Sequence, residues 1–202
     1  AAEAQIDAGS VGLTVRLEPA DGPALEAELA PRGETALRTP DGGPAAAGPR
    51  AAVCDASVRS SEGGKTARCR GFVLRWAADP AAGAQLFRAL AVPAADGGLV
   101  LLTARREPGG GDHAAEATAA WLLGSGGDAS AFDEALLSTQ YDGEGRQTRL
   151  GLELWPAEAE APPMRASATA LGVSTAGGTT AALMRSSAEG AEGVGGYLIW
   201  RS

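Results

Sequence analysis

The sequence holds few of the residues from which catalytic and metal sites are usually built. Its 202 residues include only 2 Cys and 1 His. A structural zinc site needs four ligands, so this supply predicts no metal. The glycine clusters match neither phosphate-binding pattern, GxxxxGK[ST] or GxGxxG, and no G-x-S-x-G elbow is present for a serine nucleophile. The sequence therefore predicts no cofactor and argues against a hydrolase.

The chain also lacks a basic surface and a long apolar run. The formal net charge is −8, which would repel a phosphate backbone, so nucleic acid is not expected as a partner. No run of about 18 apolar residues occurs, and no membrane span is predicted. The first residue is not Met, and no signal-peptide pattern follows it. The compartment stays open, with the cytoplasm slightly favoured, and the oligomeric state is not indicated.

Glycine and proline are plentiful, with 29 Gly and 12 Pro, which favours frequent turns over long helices. Alternating apolar and polar residues predict strands, which begin with a hairpin formed by 11–18 and 24–30. About ten to twelve short strands are separated by turn signals every 8–14 residues. This rhythm predicts one all-β domain over residues 1–202, either an antiparallel barrel or a two-sheet sandwich. A loop-rich insertion, with four Pro and four Gly, covers 31–50.

Two segments leave alternatives open. Residues 79–84 suit a helical turn, but we favour a hairpin over 84–107. In the hairpin 51–60 and 66–76, a turn centred between Ser61 and Glu62 places Cys54 opposite Cys69, within reach of a disulfide. A turn centred on Gly63 and Gly64 pairs Val58 with Cys69 instead and excludes that bond.

The stretch STQYDGEGRQTRLGLELWP, residues 138–156, predicts a strand, a tight turn and a second strand. Alternation places Leu150, Leu152 and Leu154 on one face of the second strand, opposite the face of Glu153 and Trp155. If that second face turns toward an apolar cavity, Glu153 is a candidate proton donor or acceptor. The alternative is a surface ion pair between Glu153 and Arg149.

The remaining candidates are the lone histidine and the scarce aromatic residues. His113 follows Asp112 on a loop, where the carboxylate would orient an imidazole base; an exposed histidine is the alternative. Aromatic residues make up only 4% of the chain. Those near predicted strands are candidates for the wall of a ligand site, with ordinary core packing as the alternative: Trp76, Trp121, Tyr141, Trp155 and Tyr197.

Four motifs stand between Asp112 and Ser202: AWLLG, YDGEGR, GLELW and EGAEGVGGY. Through them this part of the chain resembles a group of actinobacterial proteins without assigned activity. The group is associated with lipocalin-like folds related to hydroxyneurosporene synthase, a carotenoid hydratase. The resemblance implies antiparallel strands around an apolar cavity, and it supplies no catalytic residues.

Three functions are consistent with this picture. The first, which we favour, is binding of an apolar small molecule such as an isoprenoid, a polyketide or a lipid. The second is a hydratase, isomerase or cyclase that relies on cavity shape and one carboxylic acid. The third is a non-catalytic interaction domain with a filled core.

Overall fold

The computed structural model describes residues 3–8, 13–18, 23–37, 49–109, 116–158 and 161–202. The predicted all-β, antiparallel fold is confirmed, with fifteen strands in these residues. The count exceeds ten to twelve partly because two- and three-residue strands are too short to show alternation. Most of the predicted insertion 31–50 lies outside the described residues. The chain divides into two compact units, Ala1–Thr35 with Arg50–Arg75 and Ala36–Pro49 with Trp76–Ser202.

The first unit is built on a six-stranded sheet in the order β1-β2-β3-β5-β4, with β6 also paired to β5. The strands are β1 (Glu3–Ala8), β2 (Leu13–Glu18), β3 (Leu25–Pro31), β4 (Thr35–Ala36), β5 (Arg50–Ser60) and β6 (Thr66–Arg75). The predicted hairpins β2–β3 and β5–β6 are both present. Val11, part of the first predicted strand, lies outside the described residues.

The two cysteines do not form the disulfide that one register would allow. Cys54 is a buried free thiol, and Cys69 is an exposed one. The β5–β6 register pairs Cys54 with Gly71 and Ala56 with Cys69, so neither turn centre considered above is the observed one. The cysteines are therefore offset by two residues along the hairpin instead of lying directly opposite each other.

The second unit contains a nine-stranded antiparallel sheet in the order β10-β9-β8-β7-β15-β14-β13-β12-β11. Its strands are β7 (Leu86–Pro93), β8 (Leu99–Arg106), β9 (Ala117–Leu123), β10 (Ala129–Ala131), β11 (Glu134–Tyr141), β12 (Gln147–Trp155), β13 (Met164–Ala176), β14 (Thr179–Ala188) and β15 (Ala191–Arg201). The hairpin favoured for 84–107 is β7–β8, joined through a short 3₁₀ turn, Ala95–Gly97. The hairpin predicted around DGEG is β11–β12.

The two ends of this sheet approach each other, as in a barrel. The Thr118 hydroxyl of β9 donates to the Ala135 carbonyl of β11 over 3.0 Å. The Phe132 N–H donates to the Ala120 carbonyl, also over 3.0 Å. Leu150, together with its neighbours on alternate positions of the strands, forms one continuous apolar cluster on the inner face. Burial of this cluster is the main source of stability for the unit.

The interior of the second unit has two different ends. At the apolar end, where β7 and β12 finish, Val92, Val100 and Leu154 are fully buried. At the polar end, where β7 and β12 begin and β8, β11 and β15 finish, Arg88 and Gln147 are fully buried instead. This polar end is the candidate site.

Candidate functional site

The centre of the polar end is a buried ion pair between β7 and the segment that leads into β9. Arg88 is fully buried, and its Nη2 donates to Oε1 of Glu116, whose side chain is only 6% exposed. Arg88 Nη1 lies 3.4 Å from Thr139 Oγ1 and 3.5 Å from the Tyr197 hydroxyl. Tyr197 and Thr139 share a hydrogen bond of 2.8 Å. Side chains from β7, β11 and β15 therefore meet at one polar cluster inside the barrel.

Two further arginines lie at the same end of the sheet. Arg106 Nη1 is 3.9 Å from Glu116 Oε1, and the Arg106 side chain is 20% exposed. Arg106 Nε is buried and has no hydrogen-bond partner within the described residues. The guanidinium carbon of Arg201 lies 5.4 Å from the centre of the Tyr141 ring, a cation–π distance. Positive charge thus lies beside both tyrosines of the chain.

The electrostatics of the cluster favour a charged Arg88 and a neutral Tyr197. Burial alone would lower the pKa of Arg88, but Tyr197, Tyr141 and Glu116 outweigh it, and the pKa is raised. Burial also raises the pKa of Tyr197, against the opposing effects of Arg88 and Thr139. A neutral phenol can donate to one partner and accept from another, so Tyr197 is suited to both Thr139 and Arg88.

Gln147 reaches the interior because of a β-bulge. The register pairs Gln140 with Arg149 and Tyr141 with Gln147, so Thr148 is the extra residue on β12. Strict alternation from Arg149 would have placed residue 147 on the outer face; the bulge turns it inward. Gln147 Nε2 donates to the main-chain carbonyls of Thr180 and Tyr197, both over 3.4 Å. Gln147 Oε1 is buried without a hydrogen-bond partner among the described residues.

A second bulge lies on the neighbouring strand, and a groove opens beside the two. The β13–β14 register passes from Ala170 to Gly172, which makes Leu171 the extra residue. A groove of about 370 Å³ runs along this part of β12 and β13. Its lining includes the inward-facing Gln147, Ala170 and Val173 as well as outward-facing polar residues. Its volume equals that of a small ligand site, about 300–1,000 Å³, but the groove is open to solvent along its length.

The five aromatic candidates do not form one wall. Tyr141 and Tyr197 both lie at the polar end, as described above. Trp121 is 2% exposed but lies on the face of β9 opposite the core-facing Ala120. Trp155 is on the outer face of β12, partly exposed and paired with Glu134. Trp76 packs edge-on against Phe87, with ring centres 5.7 Å apart, on the outer side of β7.

Of the two catalytic candidates, Glu153 is the one among the described residues, and it does not lie at the polar end. Glu153 is on the outer face of β12, because the inner face is filled by Leu150, Leu152 and Leu154. Its carboxylate accepts a 3.1 Å hydrogen bond from Arg165 Nε, not from Arg149. The Glu153 side chain is 43% exposed, and it lines an open groove of about 540 Å³ together with Leu136 and Arg165. His113 and Asp112 lie outside the described residues.

Sequence reasoning missed Arg88, Glu116, Arg106 and Gln147. The sequence pattern could have identified Arg88. In LFRALAV this arginine shares a strand face with Leu86, Leu90 and Val92, which are all buried. A charge on a face that is otherwise apolar indicates a buried polar site.

In the described part of the chain, no three His, Cys, Asp or Glu side chains are grouped to hold a metal. Nor does that part include a helix with the length and apolarity to cross a membrane.

Comparisons with known proteins identify the fold. No family model matches the chain, and no curated protein does. A solved structure described as a "putative AttH" from Nitrosomonas europaea aligns with a TM-score of 0.58 at 14% identity, covering 93% of this chain and 64% of that one. Kievitone hydratase from Nectria haematococca aligns with a TM-score of 0.56 at 9% identity, covering 98% and 70%.

At these identities the likeness shows the fold alone, and the chain spans about 64% of the length of the first structure. The lipocalin-like fold that the motifs implied is confirmed. The narrower relation to hydroxyneurosporene synthase rests on the motifs, with no matching sequence behind it. The chain thus has a lipocalin-like fold, and its second unit holds a buried polar cluster at one end of its interior.

Proposed function

We propose that this protein binds a largely apolar small molecule at the polar end of its second unit. The observation that carries the proposal is the groove of about 370 Å³ at the two bulges. Its inward-facing residues Ala170 and Val173 are partly buried against the core, so they offer apolar contact. Gln147 adds a buried polar group at the same place.

The cluster itself supports a site at this end. A buried ion pair is often no more stabilising than apolar residues of the same volume. Retaining Arg88 and Glu116 inside a barrel therefore gains little stability, and a role in recognition accounts for them better. The deep interior is filled by side chains such as Leu154. The ligand would accordingly occupy the groove and the polar end only. An isoprenoid, polyketide or lipid-like molecule with one oxygenated end matches this arrangement.

Native mass spectrometry of the full chain purified from its source cells tests the proposal. A co-purified mass of several hundred daltons, lost on denaturation, is the expected result. Val173→Phe fills the groove and should remove that mass. Ala181→Phe is the matched control, because Ala181 is exposed on the outer face of β14. Equal retention in both variants would contradict the assigned place. A clean protein mass in the wild type would contradict tight binding and leave an enzyme that holds its substrate only transiently or a non-catalytic interaction domain.

Catalysis on the bound molecule is a second candidate function, and Glu116 is the observation that favours it. A carboxylate with a 6% exposed side chain, beside Arg88 and near Tyr197, is the single acid that a shape-driven hydratase, isomerase or cyclase would need. One of the structural neighbours is itself named a hydratase. Incubation of the co-purified molecule with the protein should then add the mass of one water, or rearrange it at constant mass. Glu116→Gln should abolish the change.

A further inference from the structure

The sheet of the first unit ends in a long strand edge at β6. Among the described residues, β6 pairs with β5 and with no other strand. The β5–β6 ladder has no bulge, and neither strand contains a proline. Residues 66–70, at the start of β6, are all exposed. A strand edge of this kind presents N–H and C=O groups to which a further strand can be added.

The ladder shows which main-chain groups of β6 point outward. At the hairpin end, the Ser60 N–H donates to the Lys65 carbonyl over 3.3 Å. Hydrogen-bonded and non-hydrogen-bonded pairs alternate along an antiparallel ladder. In the observed register, Arg68 and Arg70 therefore lie in non-hydrogen-bonded pairs with β5. Their N–H and C=O groups point away from β5, toward the open edge.

The side chains of the same two residues make one face of this edge basic. From residue 63 to residue 78 the chain has four basic residues and no acidic one, although its net charge is −8. Asp55 is opposite Arg70, but its carboxylate already accepts a 2.8 Å hydrogen bond from Arg32 Nε. Like charges on neighbouring strands repel and opposite charges attract. The edge therefore disfavours pairing with the same edge of a second copy and favours an acidic strand.

The other face of the edge is apolar. Ala67 and Cys69 alternate with the two arginines and lie on this face. Cys69 is opposite Ala56, which is in turn opposite Leu29 of β3. An apolar surface thus continues across three strands up to the edge. A strand added to β6 would extend this surface if its own residues on that face were apolar.

We propose that β6 binds an extended segment of a partner protein as an additional antiparallel strand. In that segment, acidic residues alternate with apolar ones. The acidic residues lie opposite Arg68 and Arg70 and exchange main-chain hydrogen bonds with them, because those are the outward-pointing groups. The apolar residues lie beside Ala67 and Cys69. This interaction concerns the first unit and does not depend on a ligand at the polar end of the second.

A labelled model peptide tests the proposal by fluorescence anisotropy with the full chain. The sequence Gly-Val-Glu-Val-Glu-Val-Gly should bind saturably. Its counterpart with lysine in place of glutamate should bind at least about tenfold more weakly, because attraction to the two arginines becomes repulsion. Equal binding of the two peptides, or no binding of the acidic one, would overturn the proposal.

Methylation of the peptide nitrogens tests whether the peptide joins the sheet, without any change to the protein. Methyl groups on both glutamate nitrogens remove the N–H groups that face β6 and should weaken binding at least about tenfold. Methyl groups on two valine nitrogens point away from β6 and should leave binding within about twofold. Equal loss with both methylated peptides, or no loss with either, would exclude strand addition in this register.

Two arginines provide matched protein variants. Arg68→Glu should weaken binding of the acidic peptide about tenfold and strengthen binding of the lysine peptide. Arg185→Glu makes the same charge change at an exposed position of β14 and should leave both affinities unchanged. The same response in both variants would reduce the interaction to net charge and overturn the assignment to β6. A dimer of the peptide-free wild type that Arg68→Glu alters, observed by sedimentation, would assign the edge to a second copy instead.

Discussion

The two ends of the second unit's interior are built by the same strands but by different chemistry. At the apolar end, Val92 and Leu154 are fully buried and need no partner beyond close packing. At the polar end, Arg88 and Gln147 are just as buried, and each requires hydrogen bonds to offset the loss of water. The apolar end stabilises the barrel without depending on any hydrogen bond. The polar end is stable only while its hydrogen bonds and its ion pair stay intact.

The difference separates folding from function within one sheet. An aliphatic side chain at position 88 would fit the apolar pattern of its neighbours Leu86 and Leu90. The formation of this strand therefore does not require an arginine there. Residues that break the local rule at some expense to stability are expected at functional sites. The strands agree with this: the bulges of β11–β12 and β13–β14 both lie at the polar end, while β5–β6 in the first unit pairs without interruption.

The largest expected effect breaks the polar end at its ion pair. Glu116→Ala removes the carboxylate that accepts from the fully buried Arg88. Breaking one side of a buried pair typically lowers the free energy of unfolding by about 3–5 kcal/mol. Urea unfolding followed by far-ultraviolet circular dichroism measures it. A loss below about 1 kcal/mol would mean that the pair behaves as an exposed one.

The apolar end should respond to substitution in stability only. Leu154→Ala leaves a cavity among fully buried side chains, and such changes lower the free energy of unfolding by about 2–5 kcal/mol. Below its reduced melting temperature, the variant should retain the co-purified small molecule in native mass spectrometry as the wild type does, because Leu154 lies at the far end from the groove. Weakened binding in the folded variant would show that the ligand reaches the deep interior, contrary to the division drawn above.

The sequence predicted most strands of both ends, because alternation and turn residues are local signals. The DGEG hairpin is an example: Asp142 Oδ1 accepts from the N–H groups of Glu144 and Arg146, both over 2.9 Å, and Gly145 adopts a φ of +76°. These interactions are visible in the order of the residues. The leucine face of β12 followed from the same alternation, and its burial is confirmed.

The site was less accessible to sequence reasoning, for two physical reasons. A bulge shifts the alternation by one residue, so Gln147 faces inward although its strand pattern places it outward. The polar cluster joins residues far apart in the chain, such as Arg88 and Tyr197, which only the sheet order β7-β15 brings together. Tyr141 and Tyr197 were identified because aromatic residues are scarce; their polar neighbours had no such distinction, apart from Arg88.

A smaller effect, which also distinguishes the polar end from the apolar end, is the dependence of the free energy of unfolding on pH. The pKa of Tyr197 is raised, chiefly by burial, so the folded state holds the phenol proton more tightly than the unfolded chain does. Below a pH of about 10 both states are protonated, and Tyr197 adds no pH dependence. Above it the unfolded tyrosine ionises first, and the free energy of unfolding falls by up to about 1.4 kcal/mol per pH unit until the folded pKa is reached.

Tyr197→Phe should remove that part of the alkaline slope. The buried Cys54 thiol, whose pKa is raised by burial, is present in both proteins and cancels in the difference. The measurement is the urea midpoint of wild type and variant at a series of pH values from about 9 to about 11, which brackets the tyrosine pKa of an unfolded chain. Parallel slopes would show that Tyr197 ionises equally in both states, which would contradict its burial within the cluster.

The smallest effect is expected on the outer face, at Glu153. Its hydrogen bond with Arg165 joins side chains that are 43% and 69% exposed. Exposed pairs contribute at most about 1 kcal/mol, and Glu153→Gln keeps the size and polarity of the side chain. The variant should therefore unfold within about 0.5 kcal/mol of wild type and retain the co-purified small molecule equally well. A clear loss of binding in Glu153→Gln, with stability unchanged, would move the ligand from the polar end to the outer face of β12.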